Sequence, residues 1–315
     1  MTPLRPASRG CGGPAAANPP RLQGDATNPG ESGPGGTLCG RLSGFGWLGL
    51  IGEGWSAVEI DPTVASPARM YDYYLGGKDN NAADREAAEQ ALAAVPEGRR
   101  IARDNRAFLL RAVDYLAGEA GVGQFLDIGT GIPTSPNVHE VARRHIPDAR
   151  VVYVDNDPVV TAHNRALRAT HDGVVGLAGD LRAPMEILDH PDCRRVLDLS
   201  RPVAVICVAV FQFVTDDHDA AVLDALRTRL AAGSHLVLTV MTSDHQPPAT
   251  VERLRAAYSG SAAPATLRGE DHIAAMFDGF DLVDPGLTLV NRWRPDTETP
   301  GTDTGWLLAG VARKP

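Results

Sequence analysis

Residues 124–134 read Gln-Phe-Leu-Asp-Ile-Gly-Thr-Gly-Ile-Pro-Thr. Phe125 and Leu126 are apolar and run into Asp127 as the end of a buried strand. Gly129 and Gly131 follow as a turn, because glycine accepts positive φ and lets another molecule approach the backbone closely. Ser135-Pro136 supplies an N-cap followed by proline at the first helical position, so a helix is expected over residues 136–145. Strand, glycine turn and helix start form the opening unit of a nucleotide-binding α/β domain. Asp127 stands just ahead of the glycines. An acidic group there suits a ligand carrying hydroxyls and positive charge better than a bare pyrophosphate.

Outward from this stretch the pattern alternates. Strands are expected at 151–155, 174–178, 203–210 and 235–241. Helices are expected at 158–168, 217–231, 249–258 and 270–276, with short helical pieces around 185–199. The run at 203–210 is apolar throughout, as in a strand buried on both faces. Repeated β-α alternation implies a parallel sheet with right-handed crossovers. Strands at 287–293 and 306–313 have only a polar loop between them, so they read as a hairpin with one strand antiparallel. Upstream, residues 80–95 and 99–117 read as helices. Asn105 falls on the apolar stripe of the second, where it must be hydrogen-bonded.

The chain has 315 residues, a formal net charge of −9 and a pI of about 5.5, which disfavours a non-specific nucleic-acid binder. Its four cysteines, Cys11, Cys39, Cys193 and Cys207, lack metal-ligand spacing and read as free thiols in a reducing compartment. Residues 1–56 hold 14 Gly and 7 Pro and read as a disordered tail, or as sequence ahead of the true start. The apolar piece at 45–51 is too short to span a bilayer. Without a signal peptide or span, a cytoplasmic protein is expected. The expected organisation is a tail (1–56), a helical cap (57–120) and an α/β domain (121–315).

Ligands of open α/β sheets bind beyond the carboxyl ends of the strands. That rule selects Asp127, Gly129 and Gly131 after the first strand, Asp155 and Asn156 after the second, and Asp180 and Leu181 after the third. It adds Phe211 and Gln212 after the fourth, and Asp244 and His245 after the fifth. Asp155 lies 24 residues beyond Gly131, near the spacing at which an acid meets ribose hydroxyls. Asp180 offers an acceptor to an adenine amino group. Thr134 stands where a dinucleotide fingerprint needs a small third residue, which counts against NAD. S-adenosylmethionine, with ammonium, sulfonium, ribose and adenine but no phosphate, fits the acids better. Among polar side chains near this rim, Gln212 can orient a substrate but is no base, and His139 reads as structural. No catalytic residue is assigned, and no His/Cys cluster suggests a metal.

The residues 68–80 (Ala-Arg-Met-Tyr-Asp-Tyr-Tyr-Leu-Gly-Gly-Lys-Asp-Asn), 84–86, 105–109, 124–131, 137–140, 152–158, Pro285-Gly286 and 293–295 carry a resemblance. On them the chain from about residue 61 resembles the actinobacterial S-adenosyl methyltransferase family, within the class I S-adenosylmethionine-dependent methyltransferases. The resemblance implies a doubly wound, mostly parallel seven-stranded Rossmann-like sheet with the last strand antiparallel, capped by N-terminal helices. It implies S-adenosylmethionine as cofactor, with Asp127, Gly129 and Gly131 at the methionine moiety, Asp155 at the ribose and Asp180 near the adenine. Gln212 stands where the family pattern leads one to expect histidine. The segment 71–80, with Tyr71, Tyr74, Gly76, Gly77 and Lys78, is expected to act as a lid or pocket wall, joined by Asn105. A methyltransferase acting on a small-molecule acceptor is the expected function. A cofactor-binding regulator without turnover and a nicotinamide oxidoreductase are the alternatives.

Overall fold

The computed structural model describes residues 61–168, 173–296 and 303–315. The expected tail at 1–56 lies outside the described residues.

Five parallel strands form the centre: β1 (Gln124–Ile128), β2 (Arg150–Asp155), β3 (Val174–Ala178), β4 (Ala204–Val208) and β5 (His235–Met241). Near the end come β6 (Asp281–Leu282), β7 (Thr288–Leu289) and β8 (Leu307–Arg313). The sheet order is β3-β2-β1-β4-β5-β8-β6, with β7 also on β8. β8 is antiparallel to β5 along its whole length, from His235↔Arg313 to Met241↔Leu307. The order reverses between β1 and β4, which makes the gap beyond their carboxyl ends the natural ligand site.

The central strands are buried on both faces, and their side chains alternate between two cores. Phe125, Tyr153 and Ile206 face one core, with Phe108, Ala112 and Leu116 of the helix α3 (Gly98–Gly118). Leu126, Val152 and Val205 face the other, with Val222 and Leu226 of a later helix, Asp216–Arg229. Each fully buried Phe, Leu, Ile or Val among them contributes about 1.5–3 kcal/mol of transfer free energy.

Two further helices precede α3: α1 (Pro67–Leu75) and α2 (Ala82–Ala94). Asn81 and Asp84 form a capping box at the start of α2. Asp84 is wholly buried and also accepts from the Ser66 N–H (2.8 Å) and Arg69 Nε (2.9 Å). Arg69 Nη1 reaches Asp157 Oδ2 at 3.2 Å, and Ser66 Oγ donates to the same oxygen at 2.5 Å. This buried network joins α1 and α2 to the end of β2.

Three expectations need correction. The helix after the glycine turn is α4 (Val138–Ala142), and its cap is Asn137, whose capping box with Glu140 displaces Ser135 from that role. The helix expected at 158–168 is α5 (Pro158–His163), capped by Asp157, and continues as a π-turn over Asn164–Arg168. There the buried Asn164 reaches Thr130 Oγ1 at 3.0 Å, and a side chain at Gly176 would meet Asn164 Cβ at 2.8 Å. The strand expected at 287–293 shrinks to the two residues of β7. The chain turns at Leu289–Arg292 and drops Trp293 into the core, edge-on to Phe108 at 5.4 Å. β6, too short and exposed to show a pattern, was not anticipated from sequence.

Candidate active site

A cleft of about 680 Å³ opens at the carboxyl ends of the strands, across the point where their order reverses. This volume lies within the range of small-molecule sites.

The strand side is polar. Gly129 (φ +72°) packs so tightly that an added Cβ would lie 2.2 Å from Val210 Cγ2. Gly131 (φ +61°) differs: nothing lies within 4 Å of where its Cβ would be, so bare backbone borders the cleft. Its N–H donates to Asp155 Oδ2 at 2.9 Å, while Asp155 Oδ1 accepts from the Asp157 N–H at 2.9 Å. The carboxylate thus pins the glycine turn to the end of β2. Further along, Asp180 accepts from Arg182 Nε at 2.9 Å and Asn156 Nδ2 at 3.2 Å. The hydrogen bond from Arg182 holds its carboxyl down at about 2. Leu181 adds an apolar floor.

Between the two sides stand Asp127 and Arg106. Burial pushes the Arg106 guanidinium down and the neighbouring Asp127 pushes it back up. Arg106 Nη2 donates to the carbonyls of Thr134 and Pro136, and its buried Nε has no partner. Sequence reasoning missed Arg106. It is adjacent to Asn105 in the chain, but its contacts lie 28 and 30 residues away.

The helix side is apolar. Tyr74 and Leu75 from α1, Leu92 and Val95 at the end of α2, and Leu254 and Tyr258 of the helix Pro248–Tyr258 line it. Its polar groups are largely engaged with one another. Asn105 donates to Tyr71 Oη at 3.0 Å and accepts from Thr239 Oγ1 at 2.8 Å, and Thr239 Oγ1 accepts from the Ala209 N–H at 2.8 Å. Tyr71 donates to the Ala102 carbonyl, and Tyr74 pairs with Tyr258 at 3.1 Å. Burial pushes the Tyr71 phenol up to about 12 and raises that of Tyr74 further.

The cleft therefore brings together Asp127, Gly129, Gly131, Asp155, Asn156, Asp180, Leu181, Tyr71, Tyr74, Asn105 and Gln212. Gly76, Gly77, Lys78 and Phe211 do not line it. Gly76 ends α1 in the left-handed conformation (φ +83°). A Cβ on Gly77 would fall 1.9 Å from Asp72 Oδ1, so these glycines form a packed helix stop. The Phe211 ring is wholly buried in the sheet–helix core. His139, Asp244 and His245 also lie off the cleft. His139 Nδ1 sits 2.8 Å from the buried Tyr153 hydroxyl, and Asp244 accepts from the Glu270 N–H at 2.7 Å. His218, exposed at the mouth, is the histidine that does line it. Among the described residues, Asp216, Asp219 and His272 group at metal-binding distances. The Arg268 guanidinium already reaches both acids, at 3.1 and 3.0 Å, and supplies the positive charge there.

Comparison with known proteins adds to this geometry. The sequence pattern of the family described as S-adenosyl methyltransferase matches residues 53–315. The structure is similar to a putative methyltransferase from Thermobifida fusca, with 41% identity, TM-score 0.76, and coverage of 80% of this chain and 96% of that one. It is similar also to a DUF574 family protein from Streptomyces avermitilis, with 41% identity, TM-score 0.77, and coverage of 82% and 100%. No curated protein matches.

Proposed function

Because the chain belongs to the S-adenosyl methyltransferase family, with S-adenosylmethionine as cofactor, we propose that it methylates a small molecule seated against the helix side of this cleft. The residues fit the cofactor. Gly131 leaves room for a ligand against bare backbone, and Asp127, Asp155 and Asp180 line the cleft as acceptors suited to the hydroxyls and positive charge of a sulfonium nucleoside. The observation that carries the reading is that Asp127 and Arg106, opposite in charge and electrostatically coupled, line the same cleft at the switch point. They match the ammonium and carboxylate of an amino-acid moiety. Asp155 would take ribose hydroxyls on its remaining lone pairs. Asn156, Asp180 and Leu181 would border the adenine. Bound there, the cofactor supplies an electrophilic methyl group. The chain's part is to hold the acceptor in line with it and to exclude water. Helices α1 to α3 act as the cap that does this.

The net charge of −9 supports a small-molecule acceptor over a nucleic acid. The buried free thiols Cys193 and Cys207 fit the cytoplasm, and no described helix is long and apolar enough to cross a membrane.

Calorimetry with S-adenosylhomocysteine and NAD tests the cofactor assignment. Binding of the first and not the second is expected, and Arg106→Met and Asp127→Asn each weaken it. Radiolabelled methyl transfer into a cell extract then separates an enzyme from a regulator. Binding without any labelled product favours the regulator, a reading that rests on one feature: among the described residues, His218 is the lone histidine lining the cleft.

A further inference from the structure

Among the described residues, most polar groups on the helix side of the cleft answer one another. Asn105 has both ends of its amide engaged, Tyr71 both donates and accepts, and Tyr74 and Tyr258 share a hydrogen bond. Gln212 is only 5% exposed and lines the same cleft, yet its buried Oε1 has no hydrogen-bond partner. An unanswered buried carbonyl costs about 1–3 kcal/mol, so its persistence calls for a ligand that answers it.

The amide is also held in place. Gln212 sits in the turn Phe211–Phe213 after β4. The Thr266 N–H donates to its carbonyl at 2.7 Å. The buried Arg268 donates to the carbonyls on either side, Phe211 at 2.8 Å and Val214 at 2.7 Å. Three donors thus fix the backbone of a turn whose Gln212 side chain lines the cleft.

We infer that Gln212 selects the acceptor: an apolar, ring-sized molecule whose nucleophilic atom carries an N–H or O–H that donates to Gln212 Oε1. This rests on the methyltransferase reading above. Tyr71 and Tyr74 hold their protons too tightly to act as bases, so the amide orients the nucleophile and does not deprotonate it. The nitrogen or oxygen lone pair forms the new bond to the methyl carbon, and the electron pair of the broken carbon–sulfur bond stays on sulfur. The N–H or O–H proton passes to water at the mouth. The remainder of the acceptor packs on Tyr74, Tyr258, Leu254 and Val95.

The test uses the complex with S-adenosylhomocysteine and four probes: 4-propylaniline, 4-propylphenol, their donor-free relative propylbenzene, and 4-propylanisole. In the wild-type protein, calorimetry is expected to give the aniline, the phenol or both about tenfold tighter binding than propylbenzene and 4-propylanisole, the discrimination one satisfied polar group supplies. Whichever donor binds better identifies the nucleophile as nitrogen or oxygen. In Gln212→Met the advantage is expected to vanish while S-adenosylhomocysteine affinity stays unchanged. Equal binding of all four probes, no binding of any, or an advantage that survives Gln212→Met overturns the inference. The wild-type probe series decides the question even if the variant does not fold. Failure of S-adenosylhomocysteine itself to bind overturns the methyltransferase reading, and the inference with it.

Discussion

The strand side and the helix side of the cleft are built by different means. On the strand side the chain delivers its groups at successive strand ends, and short backbone bonds fix them: Asp155 to the Gly131 N–H, Asp180 to Arg182. On the helix side, distant segments meet through side chains: Asn105 with Thr239, 134 residues apart, and Tyr74 with Tyr258, 184 apart. A pocket set by the backbone tolerates little change in its ligand. One assembled from side chains can be altered a residue at a time. The cofactor is expected on the first side and the variable acceptor on the second.

The sharpest way to break this division is at the joint between the sides. Arg69→Met leaves Asp84 and Asp157 buried without their cation and is expected to destabilise the fold by about 3–5 kcal/mol in urea denaturation. Gly129→Val attacks the strand side alone. Its β-carbon would overlap Val210 and its φ is positive, so a loss of about 3 kcal/mol is expected, with cofactor binding abolished in calorimetry. Asp155→Asn keeps the shape but loses one of the two acceptors that hold the turn. A drop of about 10–100-fold in S-adenosylhomocysteine affinity is expected, corresponding to about 1.4–3 kcal/mol.

Acid tests a group outside both sides. Burial of His235, at the start of β5, pushes its imidazole down from 6.5 to about 4. The unfolded chain therefore takes up that proton first as pH falls. Stability is expected to be full above about 6.5 and to decline toward about 4, and His235→Gln should flatten that slope. Asp180, held at about 2, keeps its charge over this range. The smallest effect is Tyr74→Phe, which removes the hydroxyl pair with Tyr258. It should cost about 1 kcal/mol of stability and leave cofactor affinity unchanged, as a group confined to the helix side must.

The difference between the sides also explains what the sequence disclosed. β1 to β5 were legible because strands buried on both faces are nearly continuous apolar runs. The acids Asp127, Asp155 and Asp180 were legible because topology places every parallel strand end on one rim. Arg106 was not: on a helix it reads as one more surface charge, and only the fold brings the carbonyls of Thr134 and Pro136 to it. The partner of Asn105 was hidden for the same reason. The cap at Asn137 was missed because Ser135-Pro136 is a sound local signal that a better one, two residues on, outcompetes. Trp293 turned inward because α3 offered it Phe108 and Tyr115, a tertiary reward no local pattern records.

The stop at the end of α1 bears on how molecules come and go. Asp72 Oδ2 accepts from the Asp79 N–H at 3.0 Å and from Asn80 at 2.8 Å, which ties the segment after Gly76 and Gly77 back onto α1. A roof held at that stop is expected to hold still as a body, with traffic through a doorway of constant width. Admission becomes a matter of molecular girth, and turnover should be indifferent to the viscosity of the surrounding solvent.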